Sequence, residues 1–259
     1  MVVFFDIDGT IVDDDTQIIP ESAVRAVERL GERGHLAVVN TGRPYSHIDP
    51  RVRKMAFGGW VCGCGMEIRL HDGWLVRRTP SPEVCRRVRD AARACGMWVL
   101  YEGRDGVLFT DRDSLESRWI VQETSRMTAK GFPVLPLEEP PRFMKLVTFD
   151  APGCRREEFI RLVSPWFDCT DRGGTMLELV LKGCSKAGGM EELLTRLGVP
   201  REQTLAIGDS TNDLPMIRFA AHSVCMGGGM EEPKRRAEYI TAPVLEDGIE
   251  KALRHYDLL

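Results

Sequence analysis

The chain has 259 residues, 43% of them hydrophobic and 29% charged, with a formal net charge of −4. This is enough for one large or two smaller globular domains, and the acidic balance gives no reason to expect nucleic-acid binding. No apolar run reaches the roughly 18 residues of a membrane span, and no signal peptide is visible, so a cytoplasmic protein without a membrane partner is expected.

The eight cysteines are scattered, which in a chain of this size favours reduced thiols. The close pair Cys62-Gly63-Cys64 lacks the two-residue spacing of a zinc knuckle.

The first element is the apolar run Val2-Val3-Phe4-Phe5, which reads as a buried strand. It runs into Asp6-Ile7-Asp8-Gly9-Thr10, two carboxylates one residue apart followed by a glycine and a hydroxyl. Buried carboxylates are costly unless paired, hydrogen-bonded or metal-bound, and ligands bind at the carboxyl ends of strands in open α/β sheets. An acidic, cation-binding strand tip is therefore expected, against the alternative of an ordinary Asp-Gly turn.

Asp13-Asp14-Asp15 reads as a solvated loop. Pro20 to Gly34 carries the apolar stripe Ala23, Val24, Val27, Leu30 and predicts a helix, followed by a strand over His35–Asn40. Strand, helix and strand make a right-handed βαβ unit, which brings Thr41-Gly42-Arg43 to the same sheet edge as Asp6 and Asp8. Gly59–Cys62 predicts a third strand.

From about residue 67 the pattern changes to short strand-like runs at 67–70, 74–77, 97–102, 106–110, 143–149 and 175–181. Helical segments fall near 82–95, 114–129 and 155–163, and Asp72-Gly73 marks a hairpin turn. Hairpins with helices on one side suggest an α+β module. Pro133, Pro136, Pro140 and Pro141 mark a loop within it, and Arg86, Arg87 and Arg89 a solvated helix face.

The first pattern then returns. A helix over Ser185–Leu197 precedes the strand Gln203–Ile207, which ends in Gly208-Asp209-Ser210-Thr211-Asn212-Asp213. A helix from Leu214, the apolar run Ser223–Met226, and helices over Glu231–Ala237 and Asp247–His255 complete the chain. The expected architecture is a doubly wound, parallel-sheet, Rossmann-like core from residues 1–78 and 183–259, with residues 79–182 inserted as an α+β cap.

This sheet brings Asp6, Asp8, Thr41, Lys186, Asp209 and Asp213 to one edge, a composition suited to phosphoryl transfer. Several carboxylates can surround Mg2+, one can attack phosphorus to form an aspartyl phosphate, and a second can move the proton. Lys186 and the Thr41 hydroxyl can bind phosphoryl oxygens.

Asp6-Ile7-Asp8-Gly9-Thr10 resembles the first motif of the haloacid dehalogenase-like superfamily of phosphatases. Thr41-Gly42-Arg43 is similar to its second motif, Lys186 to its third and Gly208–Asp213 to its fourth. Leu177-Glu178-Leu179, with Lys182-Gly183-Cys184-Ser185-Lys186, resembles the cap exit of the Cof-type branch, whose members carry a C2-type cap. Lys234, Ala237–Thr241 and Asp247-Gly248-Ile249 resemble that branch's tail.

The resemblance implies a Mg2+-dependent phosphatase for a small phosphorylated metabolite, a sugar phosphate or phosphorylated cofactor. It implies Asp6 as nucleophile and metal ligand. Asp8 is implied as general acid/base, and as a ligand through its backbone carbonyl. Asp209, Asn212 and Asp213 complete the implied metal set, while Thr41, Lys186 and Gly42 would bind the phosphoryl group and Arg43 would reach the substrate. A phosphomutase using the same aspartyl chemistry is the alternative. A receiver-type signalling domain fits poorly, because it is about half this length and has no inserted cap. Two departures stand at the expected rim: Cys64-Gly65 where the branch often has Asn-Gly, and Met226-Gly227-Gly228 where it often has Met-Gly-Asn. Neither the oligomeric state nor the cap residues that contact substrate can be read from the sequence.

Overall fold

The computed structural model describes every residue except 72, 105 and 138–140. The hairpin turn expected at Asp72-Gly73 and the loop position Pro140 thus fall partly outside the described residues. The chain forms two compact units, one comprising Met1–Arg43, Ile48–Arg77 and Ser185–Leu259, the other Pro44–His47 and Arg78–Cys184.

The elements up to the inserted unit are β1 (Val2–Phe5), α1 (Glu21–Glu32), β2 (Leu36–Asn40), α2 (Pro50–Arg53), β3 (Gly59–Cys62), β4 (Glu67–Leu70) and β5 (Gly73–Arg77). The insertion contributes α3 (Pro82–Cys95), β6 (Met97–Glu102), β7 (Leu108–Thr110), α4 (Arg118–Ala129), β8 (Val134–Pro136), β9 (Lys145–Asp150), α5 (Arg156–Val163), β10 (Phe167–Asp171) and β11 (Met176–Leu181). The chain closes with α6 (Lys186–Leu197), β12 (Thr204–Gly208), α7 (Leu214–Phe219), β13 (His222–Cys225), α8 (Glu231–Arg236), β14 (Tyr239–Ile240) and α9 (Gly248–His255).

In the first unit the strand order is β14-β13-β12-β1-β2-β3-β4-β5. The pairs from β14 to β3 are parallel. The β4–β5 hairpin adds to this sheet in antiparallel sense. The sheet is therefore mixed, and the run beginning at residue 67 extends it. Ile68 and Val76 pack into the same cluster as Phe4, Val38 and Ala206, because alternate residues of the hairpin continue the apolar face. β1 lies between β2 and β12, so successive strands proceed outward in opposite directions from it. The carboxyl end of β1 is thus the topological switch point, where the diverging connections leave a crevice.

The second unit has a six-stranded sheet in the order β10-β11-β9-β6-β7-β8. Val99 and Tyr101 of β6 join Val88 and Ala92 of α3 and Phe159 and Val163 of α5. Leu100, the alternate residue, joins Ile120 and Met127 of α4. Helices therefore pack on both faces, not on one as expected. The segment expected as one helix over 114–129 breaks at Ser117, whose hydroxyl caps α4 by accepting from the Ile120 amide. Val134–Pro136, read as loop from its prolines, is an edge strand parallel to β7, a place where proline is tolerated. Arg89 is buried, not solvated, and its guanidinium turns back to Asp90.

Candidate active site

The site grows out of the end of β1. The Asp6 amide continues the strand by donating to the Ile207 carbonyl, and the Ile7 carbonyl then accepts from the amides of Thr10, Ile11 and Val12. This tight turn needs Gly9 at φ +71°, and a Cβ there would lie 2.6 Å from the Asp209 carboxyl carbon. A side chain is excluded twice over, by backbone conformation and by the packed carboxylate. The Thr10 hydroxyl donates to Asp209 Oδ1 at 3.4 Å.

Lys186 arrives as the first residue of α6, capped by Ser185, whose hydroxyl accepts from the Gly188 amide. Its ammonium donates to Asp6 Oδ1 at 2.7 Å and to Asp213 Oδ1 at 2.5 Å. Asn40, at the end of β2, donates its side-chain amide to the Lys186 carbonyl at 3.2 Å. Asn40 is completely buried and buttresses the start of α6, a contact that no sequence motif announces. The available signal was an amide ending an otherwise apolar strand. Gly65 lets the loop after β3 approach the same helix start, since a Cβ there would meet the Ser185 carbonyl at 2.9 Å.

The turn after β12 is built around Asp213. Its Oδ2 accepts from the amides of Asp209 at 2.9 Å and Ser210 at 3.0 Å, while its other oxygen takes Lys186. Gly208 leaves room for that carboxyl group. Asn212 accepts from the Ser210 hydroxyl through Oδ1, so its side chain is used within the turn.

Thr41 lies at the adjoining edge, its amide on the Val61 carbonyl and its hydroxyl accepting from the Arg43 amide at 3.2 Å. Arg43 forks onto Asp8, with Nε 2.7 Å from Oδ2 and Nη2 3.0 Å from Oδ1. Of the expected residues, Asp6, Asp209, Asp213 and Lys186 form one buried cluster, while the side chain of Asp8 is held with Arg43. Gly42 lies between Thr41 and Arg43. Cys64 follows β3 at φ +56°, a left-handed conformation that asparagine adopts more readily, and donates its amide to the Thr41 carbonyl. Gly228 has open space where a side chain would stand.

Asp6, Asp209 and Asp213 each place a carboxylate oxygen within 4.8 Å of the others. Burial first, then repulsion from Asp213, pushes Asp6 up to about 7 despite the opposing pull of Lys186. Burial, then Asp6 and Asp213, pushes Asp209 up to about 9. Burial works against the Lys186 charge, but Asp213 and Asp6 outweigh it and hold the ammonium protonated. Three buried carboxyl groups share one lysine. The donor set is all oxygen and over-supplied with negative charge, which suits a hard divalent cation.

A strand-end carboxylate gripped by a lysine, beside an acidic cluster that could hold a cation, at the switch point of a mixed α/β sheet, is an arrangement suited to phosphoryl transfer. The chain belongs to the haloacid dehalogenase-like hydrolases, whose family model matches residues 3–253. It is a phosphoric monoester hydrolase of that family, in agreement with the Cof-type resemblance. It is 28% identical to the 5-amino-6-(5-phospho-D-ribitylamino)uracil phosphatase YitU of Bacillus subtilis, over 98% of this chain and 97% of that one. It is 26% identical to the HMP-PP phosphatase of Cronobacter sakazakii, over 97% and 92% of the two chains. Among solved structures, a haloacid dehalogenase-like hydrolase from Bacteroides thetaiotaomicron superposes with a TM-score of 0.82 at 26% identity, covering 98% of each chain. The subclass IIB sugar phosphatase BT4131 shares the fold, with a TM-score of 0.81 at 24% identity, over 100% of this chain and 99% of that one.

Proposed function

We propose that this protein is a Mg2+-dependent phosphatase that hydrolyses a small phosphorylated metabolite, a sugar phosphate or phosphorylated cofactor, through an aspartyl phosphate on Asp6. The observation that carries this reading is the Lys186 ammonium 2.7 Å from Asp6, within the cluster of Asp6, Asp209 and Asp213. The names of the two aligned phosphatases, one of 5-amino-6-(5-phospho-D-ribitylamino)uracil and one of HMP-PP, support a small phosphorylated substrate.

Asp6, Asp209 and Asp213 would hold the cation, with the Asp8 carbonyl and Asn212 supporting it. Bound there, Mg2+ supplies positive charge that offsets both the clustered acids and the phosphoryl oxygens. Lys186 occupies Oδ1 of Asp6, which leaves Oδ2 to attack phosphorus and displace the alcohol. Asp8 gives a proton to the departing oxygen and then takes one from the water that cleaves the acyl phosphate. Thr41, Gly42 and Lys186 bind the phosphoryl oxygens as charge develops. The inserted unit, proposed as a cap over residues 79–182, would exclude bulk water and contact the rest of the substrate.

The test is phosphate release from p-nitrophenyl phosphate and then from a panel of phosphorylated metabolites, with Mg2+ and with chelator. Release that needs Mg2+ and vanishes in Asp6→Asn, with the fold intact by circular dichroism, is the expected result. Turnover retained in that variant removes Asp6 as nucleophile. Recovery of an isomeric phosphate in place of inorganic phosphate replaces hydrolysis with mutase chemistry.

A further inference from the structure

The inserted unit contains a cavity of about 440 Å3 built wholly from its own residues. Its size falls within the roughly 300–1,000 Å3 of small-molecule sites. Pro80, Phe109, Phe143 and Met144 give it an apolar wall, and Arg104 and Arg142 give it two cations. No acid is among its described lining residues.

The fold fixes where these arginines stand. β6 and β9 are antiparallel neighbours in the register Glu102 to Lys145, so the chain just after β6 and the chain just before β9 emerge at one end of the sheet. Arg104 follows β6 on a loop closed by the Gly103 amide donating to the Val107 carbonyl at 2.9 Å. Gly103 is required at that corner, because a Cβ would sit 2.8 Å from the Val107 carbonyl and from the Phe109 ring. Arg142 leads into β9.

Neither guanidinium is neutralised by a described carboxylate. Arg104 has one long contact, 3.4 Å to the Thr79 hydroxyl, and its Nε is buried without a hydrogen-bond partner. Elsewhere in the same unit, Arg93 is paired to Asp111 and Arg156 to both Asp150 and Asp171. A buried N–H without an acceptor carries an uncompensated desolvation cost, and an apolar wall offers few partners to hold a water there. An oxyanion supplies acceptors in the planar geometry that guanidinium groups match.

We propose that this cavity binds a small organic anion, a carboxylate or phosphate carried on an apolar body of about one ring. The oxyanion meets Arg104 and Arg142, and the ring lies against Phe109, Phe143, Met144 and Pro80. This site uses none of the clustered acids and does not rest on the phosphatase reading.

The test uses the full-length protein in chelator, titrated calorimetrically with benzoate, phenylphosphonate and the neutral isostere benzamide. Saturable, one-to-one binding of at least one anion in the millimolar range is expected, with benzamide about tenfold weaker or worse. Comparing benzoate with phenylphosphonate identifies which oxyanion the site takes. Arg142→Gln, at an exposed position that does not endanger folding, and the double variant Arg104→Gln/Arg142→Gln should each weaken anion binding, the double by about tenfold or more. Asp6→Asn should bind as the wild type does. Absence of saturable binding overturns the proposal. So does benzamide binding as tightly as the anions, wild-type affinity in the double variant when folded, or loss of binding in Asp6→Asn.

Discussion

Arg43 holds both carboxylate oxygens of Asp8, at 2.7 and 3.0 Å, so the orientation of the proposed proton donor is set by a residue 35 positions away. Both side chains are partly exposed, which makes the pair a weak contributor to stability but a geometric constraint on Asp8. Arg43→Ala should change unfolding free energy by less than about 1 kcal/mol and lower kcat by roughly ten- to a hundredfold. Arg43→Lys should not restore the rate, because an ammonium cannot grip two oxygens in one plane. Steady-state kinetics beside chemical denaturation separate the two effects, and full activity in Arg43→Ala would remove the positioning role.

Asp8 itself divides the proposed reaction in two. Asp8→Asn should slow the water step more than the attack by Asp6, so acid-quenched protein should carry a phosphoryl group after exposure to an activated aryl phosphate. Intact-protein mass spectrometry reads this directly. An unmodified protein under conditions where the wild type turns over would contradict the division of labour between Asp6 and Asp8.

Lys186 is buried between two carboxylates, and its removal leaves both without their cation. Lys186→Ala should cost about 3–5 kcal/mol of stability near neutral pH. The loss should shrink as pH falls below about 7, where Asp6, pushed up by burial and by Asp213, takes its proton and the repulsion is relieved. Urea melts of the variant on both sides of that value provide the comparison.

In the absence of a divalent cation, stability should fall as pH rises. Asp6 and Asp209 titrate near 7 and 9 in the fold, against 3.8 for an unperturbed aspartate. Between those values the folded state binds more protons than the unfolded chain, so ionisation favours unfolding. The decline should begin above about pH 4 and level off above about pH 9. Mg2+ should reverse it increasingly with pH, since cation and protons compete for the same oxygens. Thermal melts in chelator and in Mg2+ across this window make the measurement. A flat profile in chelator would show that the cluster is not charged as described.

Gly9 couples backbone and site. Gly9→Ala places a methyl group against the Asp209 carboxyl while holding alanine at φ +71°. The left-handed conformation alone costs about 1–2 kcal/mol. Displacement of Asp209 should in addition weaken Mg2+ binding, read by calorimetry, more than Gly31→Ala, which meets no neighbour.

Much of this protein is legible from its residue order. Apolar runs ending in Asp6, Asn40 and Gly208 mark strands whose tips share one edge, because parallel βαβ connections leave no other arrangement. The spacing of Asp6, Asp8, Gly9, Lys186, Asp209 and Asp213 carries the family resemblance, since each residue type is fixed by a local turn or by the chemistry it serves. Short, weakly apolar strands are less legible. β8 contains a proline and β14 only two residues, and both exist because a neighbouring strand supplies their hydrogen bonds.

Sequence by itself determined the chemistry-bearing groups and the sheet edge to which they belong. Tertiary structure alone decided how they are joined. It set Arg43 on Asp8, Asn40 beneath Lys186 and the Asp209 carboxyl against Gly9. It also decided that Asp6 and Asp209 hold their protons far above the usual carboxylate range. These outcomes depend on distances of a few ångströms and on exclusion of water, and both arise only when segments far apart in the chain pack together.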